Sequence, residues 1–448
     1  MARLPSVPDR SLLLDISPLR DSAPFRRIFT ARLISLVGIG MLMVSVPIQM
    51  YELTKSSAHV GGATAATGIS TFIGMIIGGA LADKYDRRTM ILIGRSGAML
   101  AFTGLAANAF GVFGGEPLFA VVYVFAAADG LIGALSIAAL MASLPTLLPK
   151  EKMVAVGALN SVSVRIGTAI SPGIAGLIIY AVGVSWTYTA AAVLSAITVL
   201  LLTGLPSMPP SAAHPAPGNQ PGSDHHGDDQ NGDDTSGDAE PPTHSIGAFL
   251  RTQRVVGGVM AVGVLSMFGA GVIALVPALA DERFSGDERA IGFAYAAMAV
   301  GALVAAFTSG WLPGLRRPGL VLLSALMLVF CLHILFGLTS VLVVALVILV
   351  VGGYGDTVQE ILRFSLIQHH TPGPILGRVT GLWTAQEVGG ITVGSLVAGV
   401  YGTIWSASDA VVYYGLTMLV LAAVAMVLLG PLRRVEALYT APAIDGAP

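Results

Sequence analysis

Residues 211–245 read SAAHPAPGNQPGSDHHGDDQNGDDTSGDAEPPTHS. Almost nothing in this stretch is apolar, so burial cannot offset the entropy of ordering it, and it reads as a flexible acidic linker. On either side of the wider break, from about Pro206 to Ser245, lie six long and mostly uncharged segments. Those before it centre near Leu42, Ile73, Ala101, Leu131, Ile170 and Val193. Those after it centre near Val264, Val300, Leu326, Val347, Ile391 and Leu421. Uncharged stretches of about 20 residues match the helix length that crosses a bilayer's hydrocarbon core. The expected fold is an all-α integral membrane protein with 12 transmembrane helices in two six-helix halves, the layout of a secondary transporter. Its boundaries are a cytosolic N-terminal segment 1–28, a first half 29–205, the linker 206–246, a second half 247–434 and a cytosolic tail 435–448.

Composition excludes several classes. Hydrophobic residues make up 54% of the 448 and charged residues 11%, which rules out an ordinary soluble domain. The single cysteine, Cys331, permits neither a disulfide framework nor a thiolate metal site within one chain. The first 28 residues are too charged and proline-interrupted for a cleavable signal peptide. No Gly-x4-Gly-Lys-Ser/Thr phosphate loop is present, so the chain does not drive transport by nucleotide hydrolysis. His333 stands alone in its segment, while His369 and His370 lie at a cytosolic helix end, so an intramembrane metalloenzyme is not expected. His225, His226, Asp228, Asp229, Asp233 and Asp234 cluster in the linker without a spacing that fixes coordination geometry, and read as solvated. The expected partners are a small-molecule substrate, protons and the bilayer, with no nucleic acid, no cofactor and no metal. A single chain is expected to suffice.

Orientation follows from the basic residues. With the N-terminus inside, 19 of the 24 lysines and arginines fall on cytosolic segments, Arg95 among them. Only Lys55, Arg283 and Arg289 fall outside, leaving Arg165 and Arg363 at membrane depth. Such a bias places both termini in the cytosol.

The halves echo each other. The second segment ends in Gly79-Ala80-Leu81-Ala82-Asp83-Lys84-Tyr85-Asp86-Arg87-Arg88, the eighth in Gly310-Trp311-Leu312-Pro313-Gly314-Leu315-Arg316-Arg317. Both set a Gly-x-Leu before a short basic turn, as expected of a parallel repeat about an axis along the membrane normal. Gly79 is expected to let a neighbouring helix approach, and Asp83 to accept from a helix N-terminus or arginine across the seam. With Arg87 and Arg88 they form a gating loop whose contacts bias one state.

The loop GGALADKYDRR resembles the signature between the second and third helices of the major facilitator superfamily, with Asp86 where that signature usually has glycine. The run from Arg165 to Gly176, with Gly167, Pro172, Gly173 and Gly176, resembles the fifth-helix packing motif of its proton-driven exporters. SLLLDISPLRDSAPFRRIFTARLIS near the start, VPALAD at Val276–Asp281, IGFAYAA at Ile291–Ala297 and LGRVTGLWTAQ at Leu376–Gln386 resemble the enterobactin exporter subfamily. That likeness spans the chain apart from the linker. It implies a siderophore exporter of the cytoplasmic membrane driven by the proton gradient, with multidrug efflux as the alternative.

The transport chemistry is expected where ionisable groups lie at bilayer depth. Each costs about 2.5–3.5 kcal/mol to insert, so it needs a partner or a wet cavity. Six qualify: Asp129, Arg165, Asp356, Glu360, Arg363 and Glu387. Asp129 and Arg165 fall near the midplane on adjacent helices, so the arginine is expected to control a proton on the carboxylate, or else to form a permanent pair with it. Asp356, Gln359, Glu360 and Arg363 follow helical i, i+3, i+4, i+7 spacing and should share a cavity-lining face, with Glu360 and Arg363 neutralising each other. Gln386 and Glu387 sit a turn beyond Trp383. Trp383 and Tyr354 offer flat faces to an aromatic ligand. Gln49, Asn160 and Tyr295 are further cavity candidates.

Overall fold

The computed structural model describes residues 17–82, 84–147, 153–209, 246–284 and 288–436. Asp83 and linker residues 210–245, with the gating and metal expectations placed on them, lie outside the described residues.

The described first half contains long helices Ala23–Thr54 (α1), Ser57–Ala82 (α2), Arg87–Ala109 (α3), Phe119–Leu147 (α4), Met153–Val182 (α5) and Val184–Thr203 (α6). After the linker come Arg254–Gly269 (α7), Glu288–Thr308 (α8), Pro318–Leu338 (α9), Leu342–His370 (α10), Gly373–Ile404 (α11) and Ala407–Leu428 (α12). Each of the segment centres read from the sequence falls within one of these helices. Among the described residues, 11 stretches are long and apolar enough to cross a membrane. They lie in every one of these helices except α5, which contributes the shorter apolar stretch Ser171–Val182.

One helix departs from its even hydrophobic pattern. After Gly269, α7 tightens into a 3-10 segment, Ala270–Leu275, and resumes as α-helix at Val276–Arg283. Pro277 accounts for the break, because its ring removes a donor and crowds the carbonyl four residues earlier. The buried Tyr414 hydroxyl donates to the carbonyl of Phe268 and, at 3.2 Å, to that of Gly394.

Residues 84–86 and the start of α3 are fastened to the end of α6. Asp86 caps α3, accepting from Arg88 N at 2.7 Å and Thr89 N at 3.3 Å. Its second oxygen accepts from the Ser207 hydroxyl and from Met208 N at 3.2 Å. Arg87 N donates to Met208 O at 3.1 Å, and Arg88 Nη2 to Thr203 O at 2.7 Å. An aspartate where glycine is usual thereby locks the root of the linker to the loop between α2 and α3. Desolvation raises the Asp86 pKa, but these four hydrogen bonds outweigh it and hold the carboxyl below its ordinary value.

The two halves meet along α2–α11 and α5–α8, at the end of the bundle remote from that basic loop. A Cβ on Gly61 would run into the Ser395 carbonyl, and one on Gly399 would lie 2.9 Å from the Ser57 carbonyl oxygen. Gly176 and Gly292 meet the same way, a Cβ on Gly176 falling 2.5 Å from the Gly292 oxygen. Small residues let helix backbones approach where lipid supplies no hydrophobic drive. Tyr51 donates to Asp281 at 3.3 Å and Lys55 pairs with it at 3.7 Å, adding an α1–α7 tie at this end. At the basic end the halves part: a Cβ on Gly79, Gly310, Gly377 or Gly381 would meet nothing within 4 Å. The close approach expected at Gly79 is therefore absent in this conformation, because these ends are splayed.

Candidate functional site

The splayed side opens on a seam among α7, α10 and α11. Arg363 on α10 is 1% exposed, yet its Nε and Nη1 have no hydrogen-bond partner. Its guanidinium lies 4.8 Å from the centre of the Trp383 ring on α11, a cation–π contact. Trp383 Nε1 donates to Glu387 Oε1 at 2.6 Å, fixing the indole plane one turn from the carboxylate. Gln359 and Gln386 each carry a buried amide oxygen without a partner. Gly263 on α7 makes room for this group, since a Cβ there would collide with Gln386 and stand 2.7 Å from Arg363 Nη1. Unfilled donors on a buried cation beside an aromatic ring suit a flat anionic ligand.

The polar stripe on α10 does not line a single wall. Glu360 is exposed. Glu360 and Arg363, both described, make no ion pair with each other, so the expected neutralisation does not form in this conformation. The Glu387, Glu360 and Asp356 carboxylates act on Arg363 electrostatically, Glu387 most strongly. Asp356 accepts from Gln359 Nε2 at 3.3 Å and borders a cavity beneath α9. Seven residues along a helix span about 10.5 Å, so opposite ends of one stripe meet different neighbours. Tyr354 does not join Trp383: its hydroxyl accepts from Thr308 Oγ1 at 3.4 Å and Trp311 Nε1 at 3.3 Å, toward α8. Nine residues from Arg363, it projects from the opposite side of α10.

In the first half the expected Asp129–Arg165 pairing lies outside the described residues, and another cation acts on Asp129. Arg165 and Asn160 lie on α5, but their side chains are outside the described residues. Among the described residues, the charge acting on Asp129 is Arg95 of α3. Arg95 is not a loop residue, as its count among the cytosolic arginines assumed; it is 8% exposed inside the helix and donates to Ser35 of α1. Its place two turns into α3 was legible from Asp86 as cap; basic residues clustered before it disguised it as loop. Gln49 and Tyr295 are buried, at 2% and 4% exposure, each with a side-chain oxygen lacking a partner. In the fifth-helix motif, Gly167 abuts Leu36 of α1, a Cβ on Gly173 would lie 3.9 Å from Ala296, and Gly176 makes the Gly292 crossing. Pro172 stands within α5.

The Major Facilitator Superfamily model matches residues 28–273, and a model described as a transmembrane secretion effector matches residues 246–445. The chain is 36% identical over 429 residues to the enterobactin exporter EntS of Shigella boydii, covering 95% of this chain and 96% of that one. It is 35% identical over 428 residues to the enterobactin exporter EntS of Escherichia coli O1:K1, with the same coverage. Among solved structures, the nucleoside transporter NupG superposes with a TM-score of 0.66 at 12% identity, covering 92% of this chain and 100% of that one. A POT-family peptide transporter in complex with sulfate superposes at 0.64 with 13% identity, covering 93% of this chain and 96% of that one. At such identities these last two speak for the fold alone.

Proposed function

The chain belongs to the major facilitator superfamily, and from that membership we propose that it exports a catecholate-type siderophore across the cytoplasmic membrane. Superfamily membership makes it a transporter rather than an enzyme. The observation that carries the substrate reading is identity above one third over nearly the full length of enterobactin exporters. The Arg363–Trp383 seam supports it, because a deprotonated catechol ring presents a flat face and an oxyanion, the two features this buried pair complements.

In this reading α5 is a twelfth span, the basic end and both termini face the cytosol, and a single chain works by alternating access. The splayed conformation admits substrate from the cytosolic side. Rocking the halves then closes the basic end, bringing the Gly79–Asp83 loop against its neighbour, and parts the α2–α11 and α5–α8 crossings. The proton gradient supplies the drive, with Asp129, Asp356, Glu360 and Glu387 as the carboxylates from which the proton carrier is drawn.

The test is secretion by iron-limited cells lacking their own catecholate exporter. Expression of this chain should restore siderophore in the medium and leave drug susceptibility unchanged. Unrestored secretion with raised resistance to amphiphilic drugs would instead mark a multidrug exporter.

A further inference from the structure

We propose that His333 of α9 and Asp356 of α10 form a proton-binding pair, bridged by one water, inside the second half rather than on its central seam. Both side chains border one cavity, walled otherwise by Met298, Leu332, Ile348 and Leu349, with room for about one water molecule. His333 is 8% exposed and its Nδ1 has no partner. Asp356 has one hydrogen bond, from Gln359, which leaves carboxylate lone pairs unfilled. A water in an otherwise apolar hole needs at least two polar partners, and these two groups supply them. The arrangement gives His333 Nδ1 the partner it lacks and Asp356 a further one.

The surroundings leave the pair chemically isolated. Glu360 and Arg363, on the same helix as Asp356, are the charges that act on it. Around His333 stand the Phe330 ring, 6.0 Å away, and the backbone of α12, where a Cβ on Gly415 would lie 3.4 Å from the His333 Cβ. From α8 the cavity receives only Met298. No other ionisable side chain among the described residues borders it.

The repeat sharpens the contrast. In the first half the corresponding third and fourth helices, α3 and α4, set Arg95 against Asp129. A guanidinium stays charged throughout, so in that pair only the carboxylate can take up a proton. Imidazole can be charged or neutral. Short of double protonation, the second-half pair therefore has three states: carboxyl with neutral imidazole, carboxylate with imidazolium, and carboxylate with neutral imidazole. The first two hold the same proton, moved through the water between Asp356 and Nδ1. The third has released it.

Only the use of this proton to drive export rests on the exporter reading; the binding itself does not. The purified full-length protein in lipid vesicles is titrated while infrared difference spectra follow the carboxylic C=O and imidazole bands. Asp356→Asn should remove one titrating carboxyl. His333→Gln should move the Asp356 midpoint by about one pH unit, a tenfold change in proton affinity. The coupling is reciprocal, so Asp356→Asn must move the His333 midpoint equally. Both variants should abolish the same weakly bonded water O–H stretch, and His333→Asn serves if His333→Gln fails to fold. An Asp356 midpoint indifferent to His333, or no carboxyl signal lost in Asp356→Asn, overturns the proposal. Shifted midpoints in a protein that secretes no siderophore would sink the exporter reading and leave the pair standing.

Discussion

Arg363 concentrates the argument at the scale of one residue. A fully buried guanidinium with two unfilled nitrogens is poorly compensated unless a ligand completes it. Arg363→Gln should raise the apparent KM for siderophore by about 10- to 100-fold, the equivalent of about 1.5–3 kcal/mol for a lost charged hydrogen bond. Arg363→Lys should fall between, since an ammonium keeps the charge but loses the planar stack on Trp383. Transport assays in vesicles check both, and an unchanged KM in Arg363→Gln would remove the residue from the site. Asp129 makes a different prediction. The cation acting on it is Arg95, so Asp129→Asn and Arg95→Gln should each lower thermal stability, and a double-mutant cycle should return a coupling of about 0.5–3 kcal/mol. Additive losses would show the two to be independent. The sequence exposed the charges themselves, because charge in an apolar run is conspicuous. It could not pair them: Arg95 and Asp129 are joined by a helix contact, and His333 gains meaning only from the cavity it shares with Asp356.

At the scale of helices, spans are written in composition and joints in single residues. All of the apolar centres lie on helices, since bilayer depth demands a continuous hydrophobic run. The break in α7 and the capping of α3 depend instead on Pro277 and Asp86. Asp86→Ala should destabilise the first half by about 0.5–2 kcal/mol, the usual range for a lost N-cap, whereas Asp86→Gly should lose only the smaller part due to capping. Because the folded-state pKa of Asp86 is depressed, its contribution is complete above the unfolded value of about 3.9 and is lost as pH falls through the lower native value. Thermal unfolding of wild type and Asp86→Ala should therefore converge at strongly acidic pH. Curves that stay equally apart from neutral pH downward would show the carboxylate to be idle.

For the whole molecule, the sequence specifies two halves but not which end is closed, because both conformations use the same residues. The linker between them is long and acidic, and the halves meet through helices, so deleting about residues 212–238 should leave transport nearly intact. What holds the present state is the end remote from the basic loops: the glycine crossings and the tie of Tyr51 and Lys55 to Asp281. That ion pair is largely exposed, so it is worth at most about 1 kcal/mol. A shift of that size still changes the ratio of two conformations about fivefold, provided the contact exists in one of them only. Asp281→Asn removes the charge facing Lys55 and weakens the acceptor for Tyr51. Spin labels at residues 80 and 377, on the splayed ends of α2 and α11, read the separation of the halves directly. The variant should populate the short-distance, basic-end-closed state several-fold more than the otherwise identical labelled protein. Gly176→Leu should push further the same way, since its side chain cannot share space with Gly292. Distance distributions that do not respond to either change would mean that the remote end does not hold the halves in this conformation.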